Sequence, residues 1–293
     1  ACTGKEGWDA CEATAKAVED ALGVPYDSVA VASTGVIGMQ LPVDKLVNGV
    51  KTMSGILEAS QNAGTEASKA IMTTDTVNKE IAYTFMAGGK KVTLGGMSKG
   101  SGMIHPNMCT MLAFLTTDLN IEKSLLQEAV SEVVTDTFNM ITVDGDTSTN
   151  DSLIVMANGL AGNNKITEKN SDYDTFKEVL FIVCRYLARK MAADGEGASK
   201  LFEAKVINAR SKADARTLAR AIVASNLSKA AIYGCDANFG RFLCAMGYSG
   251  AQFDPEKVDL FFESCAGKLQ IIANGTATDY SEEKATEILS QEK

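Results

Sequence analysis

KGSGMIHPNMCTMLAFLTTD, residues 99–118, is the stretch from which this chain is best read. Gly95, Gly96, Gly100 and Gly102 lead through Pro106 to Cys109-Thr110, and the apolar run 111–115 follows at once. Glycine permits backbone turns that other residues resist. A bent loop therefore delivers a hydroxyl residue to the rim of a buried strand. That placement suits a nucleophile, and it suits self-cleavage just before Thr110. It suits equally a threonine that merely begins a strand.

Composition bounds the rest. With 293 residues the chain has room for one large domain or two modest ones. A net charge of -9, without any basic run, speaks against a nucleic-acid partner, since nothing here could neutralise a row of phosphates. No apolar segment approaches the roughly 18 residues of a membrane span, and ACTGKEGWDACEA at the start does not read as a signal peptide. Seven cysteines, an odd number with no CxxC pair, fit reduced thiols in a cytoplasmic protein. The first residue is not Met, so a fragment or a processed product is expected.

Apolar spacing of three and four residues predicts a helix over 8–22 (Trp8, Cys11, Ala15, Val18, Leu22) ended by Gly23. The same spacing predicts a helix over 121–138, a long one through Phe176, Val179, Val183, Leu187 and Met191 to near Gly195, and one around Leu218–Ser225. Strands are expected at 28–33, 80–85, 91–94, 111–115, 152–156 and 200–207. Strand runs with helices gathered between them favour α+β layers over a regular βαβ repeat. The turn-rich GCDANFG (234–240) marks a candidate boundary between a domain over 1–235 and a smaller α/β portion over 236–293.

The chemistry available is narrow. His105 is the one histidine, so a multi-histidine metal site is excluded and any Ser-His-Asp or Cys-His device would need this residue. A Cys109/His105 pair is conceivable, but Pro106 between them opposes the helix that would align the two. Thr110 offers a second route. If the bond before it is cut, its own α-amine, of pKa about 7.7–8, lies beside its own hydroxyl and replaces histidine as base. DGDTSTND (144–151) carries three aspartates but lacks EF-hand spacing, and reads as a hydrogen-bonded turn.

At this point the chain resembles a known family. KGSGMIHPNMCTMLAFLTTD is similar to the cleavage and nucleophile motif of the ornithine acetyltransferase family, the glutamate N-acetyltransferases of arginine biosynthesis. VASTGVIG (31–38), MTTDT (72–76), FNMITVDGDTSTND (138–151), GEGASK (195–200) and GCDANFGR (234–241) follow in the family's order and cover almost the whole chain. Cys109 stands where the family more often has alanine, and Ala237 and Phe239 replace its usual proline and tryptophan. The family's leading and C-terminal segments are expected to be missing here.

The resemblance implies a layered α/β/β/α-type sandwich of the N-terminal-nucleophile kind. It implies cleavage between Cys109 and Thr110, with Thr110 then taking acetyl from N-acetylornithine and passing it to glutamate. Thr34 and Gly35 would form the oxyanion hole, and Thr73, Thr74, Lys99, Thr110 and Glu196 would contact substrate. Read from the residues alone, Thr34-Gly35 is a strand-end turn, and Lys99 and Glu196 are solvated charges. No cofactor or metal is expected, with acetyl-CoA as a candidate second donor. The partners expected are small molecules and further copies, as a heterotetramer of two cleaved fragment pairs, in the cytoplasm. The competing readings are a self-processing aminopeptidase or amidase of similar fold, and an uncleaved inactive fragment.

Overall fold

The N-terminal periodicity becomes α1 (Gly4–Leu22), which ends at Gly23, whose N–H donates to the Glu19 carbonyl at 2.8 Å. It packs against α2 (Val43–Ser54). A third helix, α3 (Gln61–Ala70), is capped by the Ser60 hydroxyl, which accepts from the Ala63 N–H. The computed structural model describes residues 3–105 and 111–291, and the fold is α+β.

The first sheet is built from β1 (Lys79–Ala87), β2 (Lys90–Lys99), β3 (Leu112–Thr117) and β4 (Ser152–Ala157), in that spatial order. The β1–β2 and β2–β3 pairs are antiparallel, whereas β3–β4 is parallel, with Leu112 beside Ser152. Between β3 and β4 lies α4 (Lys123–Thr135), and after β4 comes the long α5 (Ser171–Ala193), capped by Asn170. One side of α5 buries Phe176, Val179, Leu180, Val183 and Leu187 against Phe85, Val92, Leu94 and Leu115 of the sheet, as its spacing predicts. This is the main core, and the Lys99 and Leu112 ends of β2 and β3 meet at its rim.

A second core collects α6 (Lys212–Ala224), α7 (Asn226–Tyr233), α8 (Phe239–Gly247), the sheet β5 (Leu260–Ser264), β6 (Gly267–Ala273) and β7 (Thr276–Ala277), and α9 (Glu282–Leu289). Its centre is aromatic: Phe242 meets Phe262 edge-on at 5.4 Å between ring centroids and Phe202 at 6.0 Å. Residues on both sides of 235/236, Leu218 and Ile222 among them, share this core. Ties between the cores are polar. Asp136, just after α4, pairs with Lys212 at 2.6 Å and Arg216 at 2.5 Å, and Lys229 donates to the Val143 carbonyl at 2.7 Å.

Two expected strands are absent. Residues 29–35 run as irregular chain after a short 3-10 turn at Tyr26–Ser28, and 200–207 join no sheet. Residues 29–32 are a short apolar run, whereas Phe202, Ala204 and Val206 alternate with Glu203 and Lys205 and do pack on the second core. Among the described residues neither segment has a neighbouring strand to complete a ladder, and an apolar or alternating pattern in sequence reports burial rather than pairing.

Candidate active site

The best-connected polar group in the main core is a buried ion triad. Lys79 opens β1, and Asp75 lies four residues before it in the loop after α3. The Lys79 ammonium, fully buried, donates to Asp75 Oδ1 at 2.7 Å and to Asp194 Oδ2 at 2.6 Å, just past the end of α5. Asp75 also accepts the N–H of Gly100 at 2.7 Å and of Thr73 at 3.1 Å. Asp194 takes the Thr76 N–H at 3.1 Å and the Thr76 hydroxyl. Burial works to raise both carboxyls, but the Lys79 hydrogen bond and these further donors outweigh it and hold both below the usual carboxylate range. Three segments far apart in sequence are thereby pinned together: 73–76, 99–100 and 194.

The triad sets the position of four residues with chemistry to offer. Lys99, the last residue of β2, is only 6 % exposed, so it is not a solvated charge. Burial pulls its ammonium below the ordinary lysine value, Lys79 pushes the same way, and Asp75, Asp151 and Glu196 oppose. Next to it Gly100 has a φ of 148°, a conformation that favours glycine and turns its N–H onto Asp75. The Thr74 and Ser101 hydroxyls are 2.7 Å apart. The Ser101 carbonyl accepts the Glu196 N–H at 2.8 Å. At Gly102 an added Cβ would lie 2.5 Å from the Glu196 carboxyl carbon, so the exposed Glu196 is held against bare backbone.

The DGDTSTND stretch is the hydrogen-bonded turn that its composition suggests. Asp144 accepts the N–H of Met103 at 2.6 Å and of Ile104 at 3.0 Å, and also that of Asp146. Thr147 donates to the His105 carbonyl at 3.0 Å. The His105 ring contacts the Thr142 hydroxyl through Nδ1 at 2.9 Å, and burial, followed by the charges of Arg220 and Lys229, lowers its pKa. Asp151 closes the stretch. Neither of its buried carboxylate oxygens has a hydrogen-bond partner among the described residues. Burial pushes the carboxyl up to about 7, against the weaker pull of the Met111 amide, which falls short of hydrogen-bond geometry, and of the Lys99 charge.

Thr73, Thr74, Lys99 and Glu196 are thus brought together. Thr34 and Gly35 lie in the irregular 29–41 loop, and no hydrogen bond joins them to the Lys99–Gly102 segment among the described residues. Cys109 and Thr110 lie outside the described residues. No His/Cys/Asp/Glu cluster suited to a metal occurs among the described residues, and Cys11, Cys184, Cys235, Cys244 and Cys265 are free thiols. A surface cavity of about 380 Å³ along α5, lined by Arg185, Tyr186, Arg189 and Lys190, shares no residue with this cluster. Sequence reasoning missed Asp75, Lys79, Asp194 and Ser101. Asp75 stood inside MTTDT as a visible signal, whereas Lys79–Asp194 joins residues no local pattern links.

Comparison with known proteins agrees with this arrangement of motifs. A profile described as the ArgJ family matches residues 1–293. The chain belongs to the ArgJ family. This is the ornithine acetyltransferase family that its motifs resemble, a family of acyltransferases. Among relatives, the arginine biosynthesis bifunctional protein ArgJ 1 of Clostridium acetobutylicum is 48 % identical over 289 residues, covering 99 % of this chain and 70 % of that protein. The arginine biosynthesis bifunctional protein ArgJ of Thermotoga neapolitana is 48 % identical over 296 residues, covering 100 % of this chain and 73 % of its own. The crystal structure of arginine biosynthesis bifunctional protein ArgJ from Bacillus halodurans is similar with a TM-score of 0.59 at 45 % identity, over 62 % of this chain and 84 % of that one.

Proposed function

We propose that this chain acts in arginine biosynthesis, moving acetyl from N2-acetyl-L-ornithine to L-glutamate through an ester on Thr110 after cutting itself between Cys109 and Thr110. The observation that carries the reading is the buried Lys99 ammonium, held with Thr74 and Ser101 beside Glu196 at the rim where β3, the strand after Thr110, begins. A desolvated cation is suited to an α-carboxylate, and Glu196 to an ammonium group; both substrates are amino acids carrying the two.

In this reading Thr110 Oγ attacks the acetyl carbonyl while its α-amine takes the hydroxyl proton. The C–N bond to ornithine then breaks, and ornithine leaves with that proton. The glutamate amine next attacks the ester and restores the threonine. Thr34 and Gly35 supply oxyanion donors, and losing one such donor costs about 2.7–4 kcal/mol of barrier. Thr73 completes the substrate contacts. The word bifunctional in the relatives' names supports acetyl-CoA as a second acetyl donor. Two cleaved fragment pairs form the working assembly, in the cytoplasm, and the second core is the smaller C-terminal unit that follows the catalytic one. No helix among the described residues is long and apolar enough to cross a membrane.

Intact mass under denaturing conditions tests the cleavage. Two fragments meeting at Cys109/Thr110 in the native chain, and one uncut chain in Thr110→Ala, is the expected result. A single uncut chain in both would overturn it.

A further inference from the structure

The helix α5 carries a second stripe, opposite the one it buries on the sheet. Phe181, Ile182, Arg185, Tyr186, Arg189 and Lys190 recur at helical spacing and line one side of the cavity of about 380 Å³. Its other side is Leu201, and the alternation through 200–207 accounts for that. Phe202, Ala204 and Val206 turn toward the second core. Leu201 and Glu203 turn the other way, onto α5, where Glu203 pairs with Arg189 at 2.7 Å. The cavity is therefore a seam between α5 and the segment that leads into the second core. Small-ligand sites favour such seams and run from about 300 Å³ upward.

The charge on this seam opposes that of the chain. The protein has a net charge of -9, yet among the described residues the cavity lining holds three cations and no carboxylate. Arg189 is engaged by Glu203, and the Lys190 ammonium lies 5.7 Å from the centre of the Tyr186 ring. The Arg185 guanidinium, exposed and one turn before Arg189, makes no ion pair or hydrogen bond among the described residues. A planar fork of N–H donors beside an ammonium fits the oxygens of a phosphate. Phe181, Ile182 and Leu201 add an apolar wall. Flat bases stack on aromatic rings and guanidinium planes, and the lining supplies both. We propose that this cavity binds a nucleotide, its phosphate on Arg185 and Lys190 and its base against the apolar wall. A bare anion would leave that wall unused, and a neutral apolar molecule would leave the cations unused. One phosphate needs only this pair of cations, where a nucleic acid would need a row of them. A free nucleotide and the nucleotide end of acetyl-CoA share this chemistry.

Calorimetric titration of the chain with AMP, adenosine and inorganic phosphate tests the site without relying on the acetyl chemistry. AMP should bind, and adenosine or phosphate alone should bind about tenfold or more weakly, since each lacks half of the contacts. Arg185→Glu should weaken AMP by about tenfold or more, and Arg185→Lys, which keeps the charge, should recover part of the loss. Lys91→Glu makes the same charge change at an exposed position of β2 and should leave binding unaltered. Thermal unfolding of each variant checks folding. Acetyl-transfer kinetics then separate the two sources, an arm that rests on acetyl-CoA being the second donor. A KM raised for acetyl-CoA but not for N-acetylornithine in Arg185→Glu identifies the nucleotide as that of acetyl-CoA. Both KM values unchanged, with AMP binding weakened, identifies a free nucleotide. No AMP binding at millimolar concentration would overturn the proposal. So would binding unaltered in Arg185→Glu, an equal loss in Lys91→Glu, or AMP competing with N-acetylornithine. A chain inactive in acetyl transfer would strike the proposed function and leave the calorimetric result standing.

Discussion

Asp75 and Asp151 both lie within reach of the Lys99 charge, both are at least partly buried, and their protonation behaviour is opposite. Asp75 is tied by Lys79, Gly100 and Thr73 and stays ionised. Asp151 has no such donors among the described residues and is pushed up to about 7. Burial acts in the same direction on each, so the partners decide which carboxylate holds structure and which is free to handle a proton. Fully satisfied polar groups rigidify a core, and unsatisfied ones concentrate at sites of chemistry.

The strongest way to break this contrast is to strip Asp75 of its partner. Lys79→Met leaves Asp75 and Asp194 buried without their shared cation, and stability should fall by about 3–5 kcal/mol in urea unfolding. Acetyl transfer should fall with it, because the 73–76 and 99–102 segments lose their common anchor. An unchanged unfolding midpoint would mean that the triad does not hold them. Gly102→Ala is gentler. Its methyl displaces the flexible, exposed Glu196 carboxylate, so stability should change by no more than about 0.5 kcal/mol while the KM for N-acetylornithine rises.

Next in size is the pH dependence of stability, where the two aspartates carry opposite signs. Asp75 has a lowered pKa in the folded chain, so its contribution is present above the ordinary value of 3.8 and is lost as pH falls through its folded pKa. Asp151 binds its proton more tightly when folded, so the stability it contributes is full below 3.8 and is lost as pH rises to about 7. Asp151→Asn does not titrate, so thermal unfolding should show the variant gaining on the native chain between these limits. A constant difference at every pH would refute the assignment. The smallest effect is a control with the same four-residue spacing as Asp75–Lys79. Lys5 and Asp9 pair at 3.0 Å with side chains 88 % and 55 % exposed, and Lys5→Ala should alter stability by no more than about 0.5 kcal/mol.

Much of this was legible in the sequence because it is local. The helix through Phe176 and Met191 is written in a 3.6-residue repeat, and Gly23 marks where α1 stops. Strands β1 to β4 show as short apolar runs. The segments 28–33 and 200–207 misled because an apolar run or an alternation says which residues can turn inward, not whether a strand waits beside them. Lys99 could be read as a surface lysine because nothing nearby in sequence announces the fold around it. Its neighbours Asp75 and Glu196 arrive from 24 residues before and 97 residues after it. Asp144 to Asp151 looked uniform as a polar run, yet its first aspartate secures a loop and its last stands unpaired among the described residues. Only the register of β3 against β4 separates their roles.

The central claim is that Thr110 carries the acetyl group between two amino acids. Incubating the self-cleaved chain with N-acetylornithine alone and quenching for intact mass tests it directly. The account predicts that the fragment beginning at Thr110 gains the mass of one acetyl group and loses it again on addition of glutamate. An unmodified fragment alongside measurable acetyl transfer to glutamate would contradict it, since the transfer would then bypass the threonine.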